Sequence, residues 1–107
     1  MALCWVTAGK CGQETSIAVR KVGLTKVTFE IATTCERVQA LADELGEVDV
    51  GHEMSCPLIE TRVYTLATQH MCRNSCIVPA AILKTLEVTA DIFLPGNAGI
   101  EFVEGAI

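Results

Sequence analysis

Lys26-Val27-Thr28-Phe29-Glu30-Ile31-Ala32, followed at once by Thr33-Thr34-Cys35-Glu36, contains the change of period on which the fold turns. Val27, Phe29 and Ile31 fall on one face, and Lys26, Thr28 and Glu30 on the other. That alternation predicts a half-buried antiparallel strand. Thr33 and Glu36 then have the spacing of a capping box, so a helix is expected to open there. Val38, Leu41, Ala42 and Leu45 follow at i, i+3, i+4 and i+7, the apolar stripe of a helix. Gly46 suits the position just past its end.

Working upstream, Gly23 and Thr25 mark a turn, and Ser16 to Val22 reads as a strand pairing with the first in a hairpin. Gly9-Lys10-Cys11-Gly12 is a second turn, preceded by a short apolar strand from Leu3 to Ala8. Downstream, Glu47 to Met54 reads as an acidic loop. Ser55 and Pro57 suit a second helix start, with Ile59, Val63, Leu66, Ala67 and His70 as its stripe. Pro79 suits the first position of a third helix, with Ile82, Leu83, Leu86, Ala90 and Phe93 turned inward. Pro95-Gly96-Asn97 stops it, and Gly99 to Glu104, with Ile100 and Phe102, predicts a last short strand. The order is β-β-β-α-α-α-β. Strands first and helices later imply an α+β fold: a small, mostly antiparallel sheet with three helices on one face.

The chain of 107 residues is expected to form a single domain, 1–107. A compact chain of this mass exposes about 5,800 Å², against about 16,700 Å² when extended, so one modest core can form. Half of the residues are hydrophobic and 20% are charged, a globular composition. Thirteen acidic against eight basic residues give a net charge of −5. An acidic chain without a basic stripe makes nucleic acid and anionic membrane surfaces poor partners. MALCWVTAGK lacks the basic and apolar regions of a signal peptide, and the run from Cys76 to Leu83 is too short to span a bilayer. The expectation is a cytoplasmic protein, where clustered cysteines act as metal ligands or redox thiols more often than as structural disulfides.

Six cysteines carry what chemistry the sequence offers. Cys4 lies inside the first strand among apolar neighbours and reads as a packing residue. Cys11, Cys35, Cys56, Cys72 and Cys76 fall at joints between elements. Cys35 is expected at the second helical position, Cys56 at the start of the second helix, and Cys76 three residues before Pro79. A thiolate there is favoured by the positive end of the helix dipole and by free N–H groups. No C-x-x-C is present, and neither is the C-x₂-C-x₂-C run of bacterial ferredoxins. A metal site would therefore have to be assembled by folding.

Cys11-Gly12, Thr34-Cys35 and Cys76-Ile77-Val78-Pro79-Ala80-Ala81-Ile82-Leu83-Lys84, with Leu94-Pro95 and a short terminal strand, resemble a known pattern. It is that of a family of short cysteine-containing proteins of unknown function from anaerobic bacteria and archaea. The resemblance implies one compact domain in an anaerobic setting, where iron–sulfur chemistry survives, and supplies no activity. Cys56 and Cys72 match the pattern less clearly.

Other groupings carry less. His70 lies on an apolar stripe and reads as a satisfied core residue, and His52 as a solvated one. Asp49 and Glu60 have the outer spacing of a calcium loop, but Gly51 and Met54 stand where a ligand and the turn glycine are needed. No Ser–His–acid grouping or phosphate-cradling loop is present. The expected function is a cysteine-ligated metalloprotein, not an enzyme on its own. Its cofactor is expected to be an iron–sulfur cluster of the [4Fe-4S] type, with zinc as the alternative, used for electron transfer, cluster handling or sensing. Its ligands would be Cys11, Cys35 and Cys76, with Cys56 or Cys72 as the fourth. A protein redox partner or a larger enzyme complex would complete the system. The competing readings are a disulfide-exchange protein without metal and an interaction module with incidental cysteines.

Overall fold

Alternation along three successive segments builds the sheet. In the computed structural model, which describes residues 2–105, β1 is Ala2–Thr7, β2 is Glu14–Lys21 and β3 is Lys26–Thr33. Each pairs antiparallel with the next, with Cys4 opposite Ile17, Ile17 opposite Ile31 and Val19 opposite Phe29. A fourth strand, β4 (Val48–Asp49), pairs with the start of β3, giving the order β1-β2-β3-β4. The inward row is Val6, Ile17, Val19 and Val27, all buried. The period of two puts Leu3, Trp5 and Ala18 on the opposite face.

Helices cover the inward face. α1 (Glu36–Leu45) packs on β3, and α4 (Val78–Thr89) packs on β1 and β2. α3 (Arg62–His70) fills the space against α1 and α4. Val38, Leu41, Leu45, Val63, Leu66, Ile82 and Leu86 meet the sheet residues in one core. Each such side chain, once fully buried, contributes about 1.5–3 kcal/mol. Thr89 fixes the far end of α4: its Oγ1 accepts from Ala2 N at 3.2 Å and donates to Val19 O at 3.2 Å. The fold is α+β, an antiparallel sheet with helices on one face, as the sequence predicts.

Several boundaries differ. Thr33 does not cap α1 but ends β3, where its Oγ1 lies 2.8 Å from Thr15 Oγ1. Cys35 is therefore the N-cap residue rather than the second helical one, and its side chain makes no cap bond. The acidic stretch is not a loop: buried Val48 pairs with Val27, and a short helix, α2 (Val50–Ser55), follows. Asp49 starts it, its Oδ1 accepting from His52 N at 2.9 Å. Pro57 opens only a 3-10 turn, Leu58–Glu60. The real helix start is Thr61, whose Oγ1 accepts from Tyr64 N at 3.1 Å. Ile59 thus lies outside the helix and is exposed. α4 stops at Thr89, and Asp91 turns the chain with φ 60°, so Phe93 points outward. No strand forms over Gly99 to Glu104, where the chain has no regular structure and finds no partner among the described residues.

Candidate functional site

Two of the expected ligands, Cys11 and Cys35, lie at one end of the sheet, and a third, Cys76, precedes the helix that runs back toward it. Cys11 is in the turn joining β1 to β2, where Gly9 and Gly12 take positive φ and Gly12 N donates to Gly9 O. Cys35 follows β3 by two residues at that same end, because Thr15 pairs with Thr33. Thr34 ties the two segments: its N donates to Glu14 O, its Oγ1 donates to Gln13 Oε1 at 2.6 Å, and Glu14 N donates back to Thr34 Oγ1. Cys76 arrives there through α4. Thr89 anchors the C-terminus of that helix beside Ala2 and Val19, at the opposite end of the strands. A helix of 12 residues is about 18 Å long, the length of five or six strand residues. The N-terminus of α4, with Cys76 two residues before it, is thereby carried back toward Thr7 and Glu14. Cys72 lies in the loop that leads into it.

Their surroundings differ. Cys11 and Cys72 are exposed, while Cys35 and Cys76 are half-buried against the core. All six cysteines are free thiols. Cys4 packs half-buried on the inward face of β1, in keeping with a packing role. Among the described residues, no three Cys, His, Asp or Glu side chains are placed together so as to hold a metal ion.

Cys56 lies elsewhere. It ends α2 rather than starting a helix, and α2 is tied through Val50 N and Thr25 O to the β2–β3 turn, at the opposite end of the sheet. Its Sγ is 3.8 Å from His52 Nε2. That nitrogen is also 3.1 Å from Glu60 O, a carbonyl that can only accept, so Nε2 carries the hydrogen and cannot take the thiol proton. Desolvation, then the charges of Glu53 and Glu60, push the Cys56 thiol above its ordinary value. The pair is not an activated nucleophile. The helix-dipole argument for Cys56 fails because the residue stands at the wrong end of its helix.

Glu53 has a role that no local pattern announces. Its side chain is buried, and its two oxygens accept from Arg62 N at 2.7 Å and Val63 N at 3.1 Å. It supplies charge to the start of α3 from nine residues upstream. Asp49 and Glu53 are thus committed to helix starts, which leaves the acidic cleft beside them, about 260 Å³, without a cation-binding set. His70 Nε2 lies 3.2 Å from Glu44 Oε2, within ion-pair distance but out of line for a hydrogen bond.

This arrangement defines a small α+β domain that presents thiols at one end of its sheet. The chain belongs to the family of unknown function DUF6951, whose model matches residues 3–102. Neither a curated protein nor a solved structure matches it.

Proposed function

We propose that this domain is a thiolate module that captures a soft metal centre, an iron–sulfur cluster of the [4Fe-4S] type ahead of zinc, at the end of the sheet near Cys11, Cys35 and Cys76. The observation that supports it is topological: three cysteines separated by up to 65 positions are directed to one end by three different elements. Cys72 is better placed than Cys56 as a fourth ligand, since it shares the loop of Cys76. The ligands do not stand ready as a group, so the site closes on its metal: Cys11 and Cys72 sit on exposed turns that can move in against the half-buried Cys35 and Cys76.

A cytoplasmic, anaerobic setting suits such exposed thiolates. The net charge of −5 favours a basic protein partner, a redox protein or a larger enzyme complex, over nucleic acid. On its own the domain handles or senses the centre and does no further chemistry. The lack of a preassembled ligand group also favours a second reading, disulfide exchange through the exposed Cys11 and Cys72. Purification without oxygen, followed by iron, sulfide and zinc analysis, separates the two. Bound iron and sulfide that are lost in Cys76→Ser support the cluster. A metal-free chain that reconstitution cannot load overturns it and leaves thiol exchange.

A further inference from the structure

We infer that the C-terminal segment is a strand donated to β1 of a second copy of this chain. The sheet has an edge without a cover, and the chain has a strand-like segment without a sheet. β1 is the outer strand of the sheet, six residues long, with no charge and no proline; Leu3 and Trp5 on it are 75% and 65% exposed. Such an edge templates further pairing unless it is blunted or covered. The other edge, β4, is only two residues long and runs directly into α2, so it offers little.

Beyond Phe93, no backbone group is hydrogen-bonded to another among the described residues. Yet the segment is apolar: Leu94, Ile100, Phe102 and Val103 are exposed by 83%, 75%, 96% and 69%. Gly99 to Glu104 equals β1 in length, and Ile100 and Phe102 alternate as a strand face does. The surface area points to the same occupant. The chain exposes 7301 Å², about 1,500 Å² more than a compact monomer of its mass. A standard interface takes about 800 Å² from each partner. A reciprocal exchange, in which each copy lends its tail to the other's β1, closes with two-fold symmetry and uses both halves at once.

Sedimentation equilibrium of the full chain at micromolar concentration, with a reductant and a chelator so that neither disulfide nor metal joins the copies, tests this. The expected mass is twice 11.5 kDa. Ile100→Asp with Phe102→Asp removes the donor, and Trp5→Lys spoils the acceptor edge. Each variant is expected to give a monomer that keeps the helical signal of the parent in far-ultraviolet dichroism, and mixing the two is expected to restore a dimer through the one remaining intact pairing. Amide exchange should be slow over 99–104 in the parent chain and fast in the tail variant. A parent chain of monomer mass, including one whose tail is protected by folding back on its own β1, overturns the inference, as does a tail variant that stays dimeric.

Discussion

Glu53 and Cys56 lie three residues apart and show how burial decides what a titratable side chain does. The Glu53 carboxylate accepts from two backbone N–H groups of α3, one of them buried. Glu53→Ala should destabilise the fold by about 2–3 kcal/mol, and Glu53→Gln by less because one acceptor remains. Urea unfolding checks the order, and equal losses would show that the two bonds do not matter. At Cys56, desolvation and the neighbouring carboxylates favour the protonated thiol. Alkylation of Cys56 should therefore rise with pH at a midpoint above that of the same residue in the unfolded chain. A lower midpoint would restore the idea of an activated thiol. Neither behaviour is legible in the sequence. Glu53 acts on residues nine positions away, and the setting of Cys56 depends on whether a helix begins or ends there.

At the scale of elements, strands and apolar helix faces are readable because their periods are local. Val27, Phe29 and Ile31, or Val63, Leu66 and Ala67, need only their own spacing to be assigned a face. Helix starts are less readable where several hydroxyl and acidic residues compete. Thr33 and Glu36 have capping-box spacing, but pairing with Thr15 keeps Thr33 in the sheet. Ser55 and Pro57 look like a start, but Thr61 holds the bond to Tyr64 N. Asp49 carries a prediction here. Its bond from His52 N, and more weakly Thr25 and Lys26, hold its carboxyl below the ordinary value of 3.8. A depressed carboxylate contributes stability that is present above the unfolded value and is lost as pH falls through the folded one. α2 should loosen first on acidification, and Asp49→Asn should remove that acid dependence from amide exchange of Gly51 to Cys56. Unchanged exchange at low pH would contradict the cap. The segment 99–104 reads as a strand but pairs with none among the described residues, since periodicity reports a preference for pairing and not the partner.

At the scale of the molecule, connectivity does what spacing could not express. Cys11, Cys35 and Cys76 have no motif between them, yet a hairpin turn, a strand end and a helix of matching length direct them to one end. A centre held there binds only the folded chain, so its binding free energy adds to stability. The loaded protein should melt well above the apo form under anaerobic conditions, and above Cys76→Ser. Equal melting temperatures would show that metal and fold are not linked. The most direct measurement is cysteine-by-cysteine alkylation, read by mass spectrometry, of anaerobic protein before and after loading with iron and sulfide. Cys11, Cys35, Cys72 and Cys76 should become protected together on loading, while Cys4 and Cys56 label at unchanged rates. Protection of Cys56 in place of Cys72, or loading that leaves Cys11, Cys35 and Cys76 as reactive as before, would contradict it.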